Sequence, residues 1–215
     1  MLIMLYESDY LEEQAALHTA EKMCAAARTA PKAHGKDTMH TLVLTGDEKE
    51  QLAKKMEEFG IREMGDKMNT WYSRDAANIR RAHAVVLIGA EQTYRGVPHC
   101  DYCGFDNCGN CKNAGGNCTF AYIDLGIAVS SAAMAAAMDT VDNRIMFSVG
   151  KAAAEMGYAE NACGLAFRSR SPARASFSTA GSFTTDRRHH GNAAIQKYLL
   201  LHESPPERKY ALRPL

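Results

Sequence analysis

An α+β (or α/β) domain, with a small central sheet of about three or more strands packed with helices, is the fold that three observations predict. Segments that read as helices outnumber those that read as strands. The two kinds follow one another along the chain without an internal repeat. One run, AVVLIGA at residues 84–90, is almost continuously apolar, as in a strand covered on both faces. At 215 residues the chain is long enough to bury the core of one sizeable domain.

The elements follow in order. Asp9 with Glu12 makes a capping box that opens a first helix, which runs through about Ala27 and stops before Pro31. TMHTLVLT, residues 38–45, alternates and is rich in β-branched side chains, which predicts a strand ending at Gly46. Asp47 then caps a second helix, in which Leu52, Met56 and Phe59 recur at helical spacing and Gly60 is the stop. A short helix from Ser73 precedes the buried strand at 84–90, and a cysteine-rich loop, about 91–120, is inserted directly after that strand. Next come a helix of small residues from about Thr119 to Met138, NRIMFSVG (143–150) as a strand and KAAAEMGYA (151–159) as a helix. Ala, Ser and Gly126 in the helix at 119–138 let neighbouring backbones approach closely, so it reads as a core helix or as the contact of a homodimer.

Charge and composition narrow the function. Lysine plus arginine equals aspartate plus glutamate at 25 each, so no whole-chain field favours nucleic acid. The first ten residues lack a basic region and a small-residue cleavage site, which argues against export. The apolar stretch at 120–138 contains Asp124 and is mostly alanine and serine, too weak to partition into a bilayer. The expectation is a cytoplasmic protein with no membrane partner. No P-loop, dinucleotide fingerprint or Ser/His/Asp set is present, and nothing names a substrate or a redox partner.

The chemistry is concentrated in one place. Five cysteines, Cys100, Cys103, Cys108, Cys111 and Cys118, lie within nineteen residues, with Gly104, Gly109, Gly115 and Gly116 between them. In a reducing compartment such a cluster predicts metal ligation or redox work rather than structural disulfides. Glycines allow backbone amides to turn inward around an anionic centre, where they hydrogen-bond sulfur. Three readings are open: a 4Fe-4S cluster, whose four-thiolate demand suits a short glycine-rich loop; a four-thiolate zinc site, cramped because only four residues separate the two Cys-x2-Cys pairs; and unligated buried thiols. Cys24 and Cys163 read as small buried apolar residues.

The stretch Cys100-Asp-Tyr-Cys103-Gly-Phe-Asp-Asn-Cys108 resembles the opening of the small 4Fe-4S domain found in membrane electron-transport and carbonyl-chemistry complexes. With AARTAPK, RDAANIRRAHAVVLIG, DLGIAVSSA and VDNRIMFSVGKAA it resembles, over roughly residues 1–167, a prokaryotic family known as containing a ferredoxin domain. The resemblance implies a cluster-binding protein of unknown reaction with Cys100, Cys103 and Cys108 as ligands, and the leading expectation is single-electron transfer through one 4Fe-4S cluster. In the electron-transport complexes the fourth ligand lies farther downstream, which implies Cys118, with Cys111 as the alternate. CAAARTAPKAHGKD is similar to the Ala-Arg-x-Ala-Pro segment of the nitroreductase family, and DLGIAVSSAAMAAAM to that family's alanine-rich core helix. That similarity implies FMN, its phosphate bound by Arg28 and by Lys32. Read from the residues alone, these are basic side chains at a helix C-terminus, where they complement the dipole.

Residues 1–167 thus form the expected body, and residues 168–215 a separate tail. The tail holds nine basic and three acidic residues, and for twenty-seven positions from Arg168 it has no Leu, Ile, Val or Met, so poor order is expected. The family resembled ends in motifs like Ile-Pro-Leu-Ser and Ile-Phe-Phe-Asp-Arg. SRSP (169–172) and SFSTA (176–180) permit both when their codons are read one base back, which predicts a frameshift near Phe167.

Overall fold

The computed structural model describes residues 5–65, 71–158 and the backbone of 162–167. The expectations for the tail at 168–215, its reading frame and the Cys163 side chain lie outside these residues.

Helix α1 (Ser8–Thr29) turns its small apolar positions inward, burying Ala16, Ala20, Met23 and Ala27. It starts on Glu7, which makes no side-chain cap, so the capping box expected of Asp9 and Glu12 is not made; Asp9 lies in the first turn, where its charge suits the dipole. Strand β1 (Met39–Leu44) leads at once into α2 (Gly46–Met64). Gly60 does not end α2 as expected but is buried within it, and the helix stops at Gly65, whose φ of 74° is the left-handed turn that glycine adopts without strain. Helix α3 (Trp71–Arg81) buries Tyr72, Ala76 and Ile79, and β2 (Val85–Ala90) follows, buried along its whole length.

After the cysteine segment, α5 (Thr119–Met138) has the expected bounds. The expected strand at 143–150 is shorter: β3 is Asn143–Met146, and α6 (Phe147–Glu155) begins where Ser148, Val149 and Gly150 turn into the core. A fourth strand, β4 (Ala162–Phe167), is not among the elements read from the sequence. It enters between β2 and β3, giving the order β1-β2-β4-β3. Every pairing is antiparallel, with Met39 opposite Ala90, Val85 opposite Ala166 and Met146 opposite Gly164. Antiparallel pairing throughout makes this an α+β fold rather than a parallel α/β one.

Strand alternation divides the core in two. Val86 and Ile88 of β2 face α1 and α5, packing with Met23, Ala128 and Ala132. Val85 and Leu87 face α2, α3 and α6, packing with Leu52, Met56, Ile79 and Val149. Helices cover both faces of the sheet, which is why β2 is continuously apolar although its neighbours are antiparallel. Helix α5 is long and apolar enough to cross a membrane by length and composition. In the fold it packs along α1 through Ala128, Ala132 and Ala136, each fully buried, and Asp139 at its end pairs with Lys22 (3.0 Å) and Thr19 (2.9 Å). The opposite side of α5 exposes Ile123, Ile127, Met134 and Met138.

Candidate metal centre

All five clustered cysteines lie between β2, the central strand, and α5. The intervening chain is not wholly loop, as expected, but contains a short helix α4 (Cys108–Asn113). Asn107 caps it by accepting from the Asn110 N–H at 2.9 Å, as asparagine does at helix starts. Gly104 (φ 78°) turns the first Cys-x2-Cys pair, its N–H donating to Asp101 O at 2.7 Å. His99, immediately before Cys100, holds a left-handed φ of 57°.

The segment is tied down from both sides. The Tyr94 hydroxyl donates to Gly116 O (2.7 Å), and Gln92 Nε2 donates to Asn117 Oδ1 (2.6 Å). Thr119 Oγ1 donates to Tyr102 O (3.1 Å), linking the start of α5 to the first cysteine pair, and the Tyr102 ring stacks on Phe120. Gly116 is required by space: a Cβ there would stand 2.7 Å from Phe105 Cε2 and 3.0 Å from Cys111 Sγ.

Cys100, Cys103, Cys108 and Cys118 line one pocket together with Arg95 and Thr119. Cys118 caps the N-terminus of α5 by position, where the dipole of a twenty-residue helix favours negative charge. Cys111 does not line that pocket and is fully buried beside it. Burial, reinforced by a hydrogen bond with Cys103 and by the neighbouring Cys118 and Cys108, pushes the Cys111 thiol up to about 11. Burial and the same sulfur-rich neighbourhood also raise the Tyr94 phenol. Among the described residues no disulfide forms, and no group of three or more Cys, His, Asp or Glu side chains converges on a point that could hold one metal ion.

The sequence reading missed Arg95 and the role of Asp124. The Arg95 side chain is 1% exposed, and its Nη2 donates to Asp124 Oδ2 at 2.5 Å and to Thr38 Oγ1 at 3.4 Å. Asp124 Oδ1 accepts the Ala33 N–H (2.9 Å), linking α5 to the short turn that follows α1. Nε and Nη1 of Arg95 are buried without a protein partner, as is Thr93 Oγ1. The available signal was the lone carboxylate in an alanine-rich helix, a group that stays buried only when paired.

Arg28 and Lys32 stand together at the end of α1, apart from the residues that line the cysteine pocket. Arg28 Nε is 2.5 Å from Asp37 Oδ2, and Lys32, nearly fully buried, donates to the carbonyls of Ala27 and Arg28 and stands 3.4 Å from Asp37. Burial opposes ionisation of Asp37, but the Met39 N–H and the two cations outweigh it and hold the carboxyl below its usual range. Cys24 is partly buried against the α1–α5 core, and burial raises its thiol.

The chain is 40% identical over 163 residues to an uncharacterized protein of Archaeoglobus fulgidus, covering 72% of this chain and 85% of that one. Solved structures similar in shape include nitroreductase CinD from Lactococcus lactis in complex with nicotinic acid, at 16% identity and a TM-score of 0.48 over 85% of this chain and 91% of that one. Another is a BluB-like flavoprotein from Clostridium difficile 630, at 16% identity and a TM-score of 0.47 over 76% and 85%. A family profile described as uncharacterized protein containing a ferredoxin domain (DUF2148) matches residues 114–168, from the end of α4 through β4. With a relative this similar over most of both chains, the protein belongs to the family of uncharacterized proteins containing a ferredoxin domain.

Proposed function

We propose that this protein transfers single electrons through a 4Fe-4S cluster held by Cys100, Cys103, Cys108 and Cys118. The observation that carries the reading is that these four thiols border one pocket, whose lining does not include the buried Cys111. The donor set fits the group: four soft sulfur ligands, the N-terminus of α5 at Cys118, and buried N–H donors of Arg95 on the same wall. When bound, such a cluster supplies a one-electron couple whose potential depends on burial and on hydrogen bonds to its sulfurs. The chain's own part is to bind it, keep water from it and orient donors towards it. The ferredoxin domain named in the family's description supports an electron-transfer role. The partner in this reading is a second redox protein, and the compartment the cytoplasm.

Anaerobic purification followed by iron and sulfide analysis and an absorption spectrum tests the reading. A broad shoulder bleached by dithionite is expected. Resolved twin bands of FMN would replace it with a flavin oxidoreductase using Arg28, and a colourless protein retaining zinc would make the segment an interaction module. Cys118→Ser should lose most of the iron and Cys111→Ala should retain it; the reverse pattern would transfer the fourth ligand to Cys111.

A further inference from the structure

Arg95 presents an unusual combination. A guanidinium carries five N–H donors. Here those of Nη2 face Asp124 and Thr38, whereas Nε and Nη1 have no protein acceptor although the side chain is buried. A buried charged donor without an acceptor costs more than its hydrogen bond would contribute, so it is retained where it serves something else. Its surroundings say what: Arg95 borders the pocket of Cys100, Cys103, Cys108 and Cys118. One edge of the guanidinium is thus held by a carboxylate, and the residue that carries it borders the sulfur-lined pocket.

We propose that Arg95 sets the reduction potential of the centre in this pocket, by donating its Nε and Nη1 hydrogens to sulfur there while Asp124 offsets part of its charge. The inference rests on the 4Fe-4S reading. A centre bound by four thiolates is a dianion when oxidised and a trianion when reduced. One electron enters from an external reductant, with no bond broken and no proton moved. A desolvated cation at the wall favours the more negative form, and solvent ions screen it little because neither partner is exposed. Asp124 acts in the opposite direction from behind Arg95. Its position is maintained by the Ala33 N–H, so the turn after α1 is linked to the pocket through two side chains.

The sign of the effect makes the proposal testable. Dithionite titration followed by electron paramagnetic resonance is carried out on wild-type protein, Arg95→Gln, Arg95→Lys and Asp124→Asn, after iron and sulfide have been counted in each. Arg95→Gln should lower the midpoint by at least a tenfold change in the reduced-to-oxidised ratio, about 59 mV for one electron. Arg95→Lys, which keeps the charge and loses the fork, should fall between Gln and wild type, and Asp124→Asn should raise the midpoint. A purely structural role would alter stability and leave these values together. Equal midpoints in wild type and Arg95→Gln, each fully loaded, would overturn the inference and leave the cluster reading intact. Wild-type protein devoid of iron and sulfide would overturn the cluster reading first. If Arg95→Gln fails to load, Asp124→Asn decides: a raised midpoint supports the proposal, and an unchanged or lowered one ends it.

Discussion

Single residues decide the shape of the cysteine segment. Gly116 has no room for a side chain between the Phe105 ring and Cys111, so Gly116→Ala should cost about 1–3 kcal/mol by overpacking and reduce the iron retained on purification. Thermal melts and iron analysis of that variant check both. The requirement cannot be read from the sequence, because Phe105 is eleven positions away and meets Gly116 only after α4 has turned the chain back. Acid sensitivity is also a residue property. Hydrogen bonds from Arg80 outweigh burial and hold the Glu57 carboxyl below its usual range, and Asp37 is lowered as well. A lowered folded-state pKa means that the unfolded chain binds more protons, so stability rises with pH in that window. Stability should therefore be constant above about pH 5 and fall as pH drops through the ordinary carboxylate range near about 4. Urea midpoints from pH 3 to 6 should show that fall, and Glu57→Gln should make it shallower, with Asp37 still contributing.

At the scale of elements, the α1–α5 contact depends on alanine. Ala20 and Ala27 of α1 meet Ala128, Ala132 and Ala136 of α5 with no exposure, so the axes approach as closely as small side chains allow. Ala132→Leu should destabilise the fold by about 1–3 kcal/mol, whereas Leu52→Ala on the other face of the sheet should cost about 2–5 kcal/mol through the cavity it leaves. Denaturant titration measures both, and because the two sites lie on opposite faces of the sheet their effects should add. Helix α2 was legible from Leu52, Met56 and Phe59 at helical spacing, and α1 and α5 from runs rich in alanine and other helix-forming small residues. The junction of β3 with α6 was not, since NRIMFSVG is apolar enough for either state, and only burial of Ser148, Val149 and Gly150 against α2 and β4 settles where the strand ends. β4 was missed because a six-residue run containing Gly164 carries little pattern of its own; hydrogen bonds on both edges make it a strand.

For the whole molecule, the two cores stand without the cysteine segment, since neither includes Cys100–Cys118. If the segment holds the proposed 4Fe-4S cluster, its removal by chelation should therefore leave helix content nearly unchanged and open the segment to protease between Gly96 and Asn117. Loss of most helical signal on chelation would show instead that the centre is part of the folding core. The sequence by itself determined the class of fold, most of the helices, an inner strand and the place where five cysteines cluster, because composition, β-branching and thiol spacing are local properties of the chain. Tertiary structure alone decided that the sheet is antiparallel, that β4 enters its middle, that Cys111 is buried against Cys103 without lining the pocket bordered by the other four, and that Arg95 meets Asp124 beside them. Each of these depends on which distant segments exclude water from one another, a relation between parts of the chain that no local pattern encodes.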